Sequence, residues 1–210
     1  NLDAKLRNQM RAEIIKLRQR INTTFIYVTH DQTEAMTLGD RIVIMKDGFI
    51  QQVDTPQNVF DYPSNLFVAG FIGSPQMNFF DVKLERRGED VMAVFGENVI
   101  KVPEGKIKKL VDPSYVGKTV KMGIRPENLH DEELFLQNSP DSIIDADVEV
   151  VELMGSETYL YLKTVDSGIN FIARVDARST SRAGDRIKIA IDANRLHFFD
   201  VDTEASILNR

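Results

Sequence analysis

One histidine stands where an apolar run meets the start of a predicted helix. His30 follows Thr24-Phe25-Ile26-Tyr27-Val28 and precedes Asp31-Gln32-Thr33-Glu34. In open α/β sheets, ligands collect at the carboxyl ends of strands. A helix N-terminus beside such a strand offers free N–H groups and partial positive charge, which favour phosphate. A histidine at this position could hydrogen-bond a terminal phosphate or the water that attacks it, and His30 is therefore the candidate catalytic residue. The alternative stays open, because a lone histidine after a strand is more often a surface or cap residue.

Other patterns that could support chemistry are incomplete. The nearest match to the phosphate-binding loop Gly-x-x-x-x-Gly-Lys-Ser/Thr is Gly117-Lys118-Thr119, but Asp112 occupies the place of the leading glycine. No apolar strand pattern ends in an Asp-Glu pair that could hold Mg²⁺ and supply a base. His130 and His197 lack a second histidine or a carboxylate at ligand spacing. The sequence therefore predicts no metal site and no complete ATP site within these residues.

Two elements would position His30. Apolar residues recur at spacings of three and four after Asp3, which predicts an amphipathic helix. Asp3 is the predicted N-cap of this helix, because aspartate is favoured at that position. The run 24–28 is continuously apolar and rich in β-branched and aromatic residues, which is typical of a strand buried on both faces of a parallel sheet. Asp31 and Glu34 form a capping-box pattern for the next helix. The apolar face of the first helix consists of Leu6, Met10, Ile14, Leu17 and Ile21.

The α/β pattern continues to about residue 75. Asp47-Gly48 separates two apolar runs and predicts a hairpin, because type I′ turns need positive φ. Thr55-Pro56 reads as an N-cap followed by proline at the first helical position, and a further helix is predicted over 64–72. These residues hold too few strands for a complete doubly wound sheet, and the first residue is Asn within an immediate helix. We therefore expect residues 1–75 to be part of a larger folded unit.

Beyond Gly73-Ser74-Pro75 the pattern changes to short strands separated by turn residues. Many short strands with little helix are typical of a small barrel or sandwich. Residues 76–210 are therefore predicted to form an all-β domain, and the acidic stretch 131–139 is predicted to be a loop. The predicted strands cover 78–85, 91–95, 99–102, 119–124, 143–154, 158–164, 168–175, 186–191 and 196–199.

Composition excludes several classes of protein. The 210 residues contain no cysteine, which excludes disulfides and thiolate chemistry. The net charge of −6 arises entirely after residue 75, where 18 basic and 24 acidic residues lie. Domains that bind nucleic acid are usually basic, so this charge argues against a nucleic-acid partner. No apolar run approaches the roughly 18 residues that a membrane-spanning helix needs.

Several segments resemble the ATPases of ABC transporters. Asn1-Leu2-Asp3-Ala4-Lys5-Leu6-Arg7 resembles their D-loop without its leading serine, and Tyr27 to Met36 resembles their switch-histidine segment. The stretches 40–45 and 48–52 continue the match. Residues 67–79 resemble the boundary segment of the MalK-like ATPases that serve maltose and multiple-sugar importers. The regulatory domain of that branch is matched by Gly123-Ile124-Arg125-Pro126-Glu127 and by 151–158.

The resemblance implies a fold and a function. Residues 1–75 would be the C-terminal end of a P-loop ATPase domain, and 76–210 an OB-like (TOBE) domain for dimerisation and regulation. His30 would contact the γ-phosphate of ATP, and Asn1, Leu2 and Asp3 would reach the nucleotide site across a homodimer. The resemblance assigns Arg125, Pro126 and Glu127 to the regulatory-domain motif.

The resemblance also implies partners and a location. The dimer would bind two transmembrane permease subunits at the cytoplasmic face of the membrane, with ATP and Mg²⁺ as cofactors and a regulatory protein on the C-terminal domain. The phosphate-binding loop, Gln loop, signature motif and Asp-Glu strand of the family do not occur in these residues. We therefore expect this chain alone to bind no ATP or Mg²⁺ tightly and to have no ATPase activity.

Two other hypotheses remain. A stand-alone OB-like module for regulation or small-ligand binding would account for residues 76–210 but not for the patterned helix and strand of 1–75. A nucleic-acid-binding barrel would need basic residues interleaved with exposed aromatics, which the acidic balance disfavours. Without the rest of an ATPase sheet, the apolar residues of 24–28 and of the first helix would be uncovered. We therefore expect poor order, low solubility or recruitment of a partner over residues 1–45.

Overall fold

The computed structural model describes the backbone of residues 4–21 and 23–209, and the side chains from residue 6 onward in those ranges. Its contacts divide the chain into two compact units, residues 1–64 and 65–210. The helices are α1 (Ala4–Ile21), α2 (Gln32–Leu38), α3 (Pro56–Asp61), α4 (Leu66–Phe71), α5 (Glu104–Ile107) and α6 (Glu133–Asn138). The strands are β1 (Ile42–Lys46), β2 (Phe49–Asp54), β3 (Asn78–Arg87), β4 (Asp90–Phe95), β5 (Asn98–Val102), β6 (Thr119–Ile124), β7 (Leu129–His130), β8 (Ile143–Leu153), β9 (Glu157–Thr164), β10 (Asn170–Asp176), β11 (Arg186–Ile191) and β12 (His197–Phe199).

In the first unit, α1 forms as its periodicity predicts, but its apolar face is not covered. Leu6 is 42% exposed and Leu17 is 52% exposed, although both lie on the predicted buried face. An apolar face contributes to stability only where another surface removes it from water. The helix is therefore present without the packing that its pattern anticipates.

The predicted strand over 24–28 is wrong. Residues 24–29 have no regular secondary structure, and the side chains of Ile26 and Val28 are 86% and 91% exposed. A strand needs a neighbour for its N–H and C=O groups. The sheet found among the described residues of this unit is the β1–β2 hairpin, whose two strands pair with each other. The apolar run thus has no sheet to join, and the α/β ATPase assignment stays a hypothesis.

The hairpin and the short helices of the first unit agree with the sequence patterns. Asp47 and Gly48 have φ values of 52° and 82°, the left-handed pair that a type I′ turn requires. Thr55 caps α3 by accepting a hydrogen bond from the Asn58 N–H at 3.3 Å. The side chain of Gln52, which is buried, donates to the Tyr62 carbonyl at 3.0 Å and accepts from the Ser64 N–H at 2.8 Å. This glutamine holds the segment after α3 against β2.

The second unit contains two five-stranded antiparallel sheets, ordered β12-β6-β3-β4-β5 and β10-β9-β8-β11-β7. One continuous hydrophobic core draws on both sheets. Phe80 of β3 is buried in this core, and its ring centroid lies 5.1 Å from that of Phe95 and 5.8 Å from that of Phe171. The prediction of a β-rich second domain is confirmed. Each of the nine predicted strands lies within two residues of its observed bounds, whereas the two-residue strand β7 was not predicted.

The second unit begins earlier than the predicted boundary after residue 75. α4 belongs to this unit because Ala69 is buried against Met77 and Phe199. A Cβ atom on Gly123 would lie 2.5 Å from the Met77 sulfur, so the glycine in β6 provides the space for this contact. The assignment of 1–75 and 76–210 as functional domains stays a prediction.

The stretch 131–139, predicted as a loop, contains helix α6. The N–H groups of Phe135 and Leu136 donate to the Glu132 carbonyl, and the Phe135 ring stacks on His130 with centroids 3.7 Å apart. The polar, acidic composition of the segment suggested a loop. Acidic residues also favour a helix N-terminus, so this composition is equally compatible with a short helix.

Candidate functional site

The residues on either side of His30 are held by a compact hydrogen-bond network. The Thr29 hydroxyl donates to Glu34 Oε2 at 2.6 Å and accepts from the Asp31 N–H at 2.9 Å. Asp31 Oδ1 accepts from the Glu34 N–H at 3.1 Å and so caps α2. The Tyr27 hydroxyl also donates to Glu34 Oε2, at 3.2 Å. The predicted capping box has the Asp31 N–H donate to the Glu34 side chain. In the structure this N–H donates to the Thr29 hydroxyl instead.

Two neighbours of Glu34, Asp31 and Tyr27, have shifted pKa values. The hydrogen bond from the Glu34 N–H lowers the pKa of Asp31, because it stabilises the carboxylate form. Desolvation raises the pKa of Tyr27, and the neighbouring Glu34 carboxylate acts in the same direction. His30 itself is exposed. The structure thus places an accessible imidazole between two residues whose backbone is fixed by side-chain contacts.

Helix α1 supports the far end of α2. Arg18 Nη1 donates to the Leu38 carbonyl at 2.6 Å and lies 3.0 Å from Asp40 Oδ1. A cation is favourable at this position, because the last carbonyls of a helix are unsatisfied and carry partial negative charge. Arg18 therefore links the amphipathic helix to the helix that begins beside His30.

Arg125 occupies a buried position in the second unit. It is 2% exposed, and its Nη1 donates to the Ile72 carbonyl at 2.6 Å. Gly73 has φ of 119°, and a Cβ atom there would lie 2.8 Å from the same nitrogen. Glycine is required at residue 73 by its backbone conformation and by the close approach of the guanidinium. Arg125 thus fastens the segment after α4 to the end of β6.

The rest of the predicted regulatory motif is a turn. Pro126 is buried and begins a 3-10 helix over Pro126–Asn128, while Glu127 is half-buried. Pro126 lacks an N–H and has fixed φ, so it suits the first position of such a turn. Arg125, Pro126 and Glu127 are therefore brought together as a structural corner between β6 and β7.

Asn78 was not identified from the sequence, yet it joins the two sheets. Its Nδ2 donates to the Ile172 carbonyl at 2.9 Å and to the Ile124 carbonyl at 3.3 Å. Its Oδ1 accepts from the Ile172 N–H at 2.8 Å. The amide thus satisfies both backbone groups of Ile172 as a neighbouring strand would. The only sequence signal was an amide at the start of a predicted strand.

The two other histidines lie in the second unit. Burial away from water, with Lys106, Arg125 and Arg195 nearby, lowers the pKa of His197 to about 3. His130 Nδ1 lies 3.7 Å from Glu132 Oε2. Both histidines pack against phenylalanine rings.

The remaining predictions concern the first three residues, a metal site and a membrane-spanning helix. Asn1, Leu2 and Asp3 lie outside the residues that the structure describes. Over the described ranges, no group of three His, Cys, Asp or Glu side chains is placed to hold a metal ion. No helix in those ranges is long and apolar enough to cross a membrane.

Comparison with known families defines the class of the second unit. Residues 73–129 match the MalK OB fold domain and residues 122–199 match the TOBE domain. These two matches together span residues 73–199, which contain every strand of the two five-stranded sheets. A solved structure of the molybdate-binding protein ModG aligns with 58% of this chain and 94% of its own, at 16% identity and a TM-score of 0.46.

Similarity to curated proteins extends over nearly the whole chain. The oligosaccharide import ATP-binding protein MsmX of Bacillus subtilis is 54% identical over 99% of this chain and 55% of its own length. MsmK of Streptococcus mutans, a multiple sugar-binding transport ATP-binding protein, is 48% identical over 99% of this chain and 56% of its own. GgtA of Synechocystis, an ATP-binding protein for uptake of osmoprotective compounds, is 46% identical.

The resemblance seen in the sequence is thereby confirmed. The chain is similar to MalK-like ATP-binding proteins of sugar-import ABC transporters, and its second unit matches the MalK OB fold and TOBE domains. It spans about 55% of the length of the relatives that it matches.

Proposed function

We propose that this chain is part of the ATP-hydrolysing subunit that powers carbohydrate import through an ABC transporter. In this proposal residues 1–75 are the C-terminal end of the P-loop ATPase domain, and 76–210 regulate and dimerise the subunit. The observation that carries the proposal is the placement of His30, which is exposed and flanked by Thr29 and Asp31, both fixed by hydrogen bonds to Glu34. Similarity to MsmX and MsmK supports the carbohydrate class.

His30 acts on the terminal phosphate in this proposal. Its imidazole donates a hydrogen bond to a phosphate oxygen or orients the attacking water, which are roles for a positioned histidine. Bound ATP and Mg²⁺ supply the phosphoryl group and neutralise its charge. Thr29 and Glu34 act as positioning residues, because they fix the backbone before and after the histidine. Asn1, Leu2 and Asp3 form the D-loop that contacts the nucleotide site across the dimer.

The exposed apolar surfaces of the first unit fit a role within a larger ATPase domain. Met10, Ile21, Ile26 and Val28 are each at least 46% exposed. We assign them to the contact between this unit and the remaining part of the ATPase domain. Peripheral attachment to two permease subunits at the cytoplasmic face of the membrane is part of the same proposal, as is a regulatory protein on the second unit.

A chimera tests the role of His30. The part of Bacillus subtilis MsmX outside the matched region would be joined upstream of residue 1, and ATP hydrolysis would be measured with the purified protein. We expect His30→Ala to lower kcat at least about a hundredfold, the typical contribution of a positioned acid–base group. Binding of a fluorescent ATP analogue should persist.

The matched control is the substitution Thr37→Val. Thr37 is exposed on α2, and its hydroxyl donates a hydrogen bond to the Thr33 carbonyl. Its kcat should equal that of the parent chimera. An active chimera in which His30→Ala hydrolyses ATP as fast as the Thr37 control would overturn the assignment of His30.

The unmodified 210-residue chain provides a second test. We expect no measurable ATPase activity from it, and light scattering should show a dimer if residues 76–210 carry the dimer contact. Turnover by this chain alone would contradict the expected inactivity. A stable monomer would favour the alternative of a stand-alone OB-like module.

A further inference from the structure

A pocket of about 390 Å³ lies in the second unit, well away in sequence from the His30 segment. Its lining comes from both sheets: β5 contributes from one, and β7 and β11 from the other. Helix α6 and two 3-10 helices, Pro140–Ser142 before β8 and Ala193–Arg195 after β11, complete the wall. Small-ligand sites have volumes in this range and combine apolar walls with a few placed polar groups.

One wall of the pocket is an aromatic ring held in a fixed orientation. The Phe135 ring stacks on His130 with centroids 3.7 Å apart and planes 5° from parallel. Phe135 nevertheless remains 41% exposed. Pro103 and Pro140 add two rigid apolar surfaces to the same lining. This arrangement offers a flat platform for the C–H face of a ligand.

The polar part of the lining includes two uncharged side-chain amides, those of Asn138 and Asn194. Asn138 Nδ2 donates to the Leu134 carbonyl at 2.8 Å, while within the described residues its Oδ1 accepts no hydrogen bond. Asn194 is exposed and uses its backbone N–H, bonded to Asp192 Oδ1 at 3.0 Å. Amide groups of this kind both donate and accept, as pairs of ligand hydroxyls do.

The charges in the lining disfavour an anionic ligand. The pocket has one lysine and two aspartates, Lys101, Asp141 and Asp192. Lys101 Nζ is 2.9 Å from Asp90 Oδ2, and the hydrogen bond to Asp90 raises the pKa of this lysine. Its charge is therefore already compensated by a carboxylate outside the lining. Phosphate sites instead use arginine or lysine donors directed at the ligand, and no arginine belongs to this lining.

We propose that this pocket is a binding site for a neutral polyhydroxylated small molecule of hexose size. The ring of Phe135 packs on the apolar face of the ligand, and the side chains of Asn138 and Asn194 bond its hydroxyls. The carboxylates of Asp141 and Asp192 accept hydrogen bonds from further hydroxyl groups of the ligand. All residues of the site lie within the regions that match the OB and TOBE domains, and none belongs to the His30 segment.

Binding can be measured on the 210-residue chain with defined probes. Titration with D-glucose and D-mannitol, followed by amide NMR shifts of Ile191 and Ala193, should give saturable binding. Inorganic phosphate and glucose 6-phosphate should bind more weakly than glucose. We expect Asn194→Ala to weaken glucose binding about tenfold, since a lost hydrogen bond of a bound hydroxyl has roughly that effect.

Two further variants separate binding from folding. Phe135→Ala should abolish saturation, whereas Leu134→Ala, on the same helix and 68% exposed outside the pocket, should bind like the parent chain. The proposal fails if neither neutral probe produces saturable shifts. It also fails if phosphate binds better than glucose, or if Asn194→Ala and Leu134→Ala bind glucose equally.

Discussion

The Thr29 hydroxyl donates to Glu34 Oε2 at 2.6 Å and accepts from the Asp31 N–H at 2.9 Å. Thr29 therefore closes a ring of contacts from the residue before His30 to the first turn of α2. The imidazole of His30 is carried by a backbone that is fixed on both sides, although the side chain itself is exposed. Positioning of this kind is useful for a group that must meet a ligand without reorganising.

Removal of the Thr29 hydroxyl should loosen this ring. Thr29→Val keeps the shape of the side chain but deletes both hydrogen bonds, so we expect the local stability of α2 to fall by about 1 kcal/mol. Hydrogen exchange of the Asp31 and Glu34 amides should accelerate. Thr33→Val is the control, because Thr33 is exposed on the same helix. Equal exchange rates in the two variants would contradict the role of Thr29.

Asn78→Ala should destabilise the second unit. The substitution leaves the backbone N–H and C=O of Ile172 without the partner that now satisfies them, at a cost of about 2–3 kcal/mol. Urea unfolding followed by circular dichroism would measure the loss. The control is Asn170→Ala, an exposed residue on the same strand β10, for which we expect a change within about 0.5 kcal/mol. A comparable loss in both variants would show that the link between the sheets is unimportant.

Arg125→Met should also destabilise the second unit. The methionine fills part of the buried space but cannot donate to the Ile72 carbonyl, so we expect a loss of about 2 kcal/mol. Arg174→Met is the matched control, because Arg174 forms a partly exposed ion pair with Glu157 at 3.5 Å. Such pairs contribute at most about 1 kcal/mol. Thermal unfolding of the two variants should therefore differ clearly, and similar midpoints would argue against the Arg125 assignment.

His197 should make stability depend on pH. Its folded pKa of about 3 lies below the ordinary value of 6.5, so the unfolded chain binds more protons between these values. Stability is then full above 6.5 and falls as the pH drops toward 3, with a slope of up to about 1.4 kcal/mol per pH unit. Lys106, Arg125 and Arg195 act in the same direction as burial.

The variant His197→Phe tests this dependence. Phenylalanine keeps an aromatic ring beside Phe199 but does not titrate, so the free energy of unfolding should change less between about pH 7 and about pH 5 than in the parent chain. Chemical denaturation at a series of pH values measures both slopes. Parallel curves for parent and variant would contradict the assignment to His197.

Local patterns predicted the elements whose interactions are themselves local. Asp47-Gly48 specifies its hairpin because both residues adopt positive φ readily. Thr55-Pro56 specifies the start of α3 because the cap bond reaches only three residues along the chain. Short strand segments separated by turn residues likewise predicted the strands of the second unit, because turn residues act on the local backbone.

Tertiary contacts decided the remainder. The apolar run 24–28 reads as a buried strand, yet burial requires a second surface, and Val28 is 91% exposed. The acidic start of 131–139 concealed α6, which is held by the stack of Phe135 on His130. The exposure of residues 24–28 and the packing of α6 both depend on contacts that a short stretch of sequence does not show.

By itself, the sequence determined the hairpin, the caps, the β-rich second domain and the family resemblance carried by the segment around His30. The tertiary structure alone decided that Asn78 joins the sheets to Ile172 across 94 residues of chain, and that Arg125 reaches back 53 residues to Ile72. The physical reason is the separation along the chain between the groups that interact. Caps and turns depend on neighbouring dihedral angles, whereas partners for buried polar groups come from whichever distant backbone the fold brings within hydrogen-bond distance.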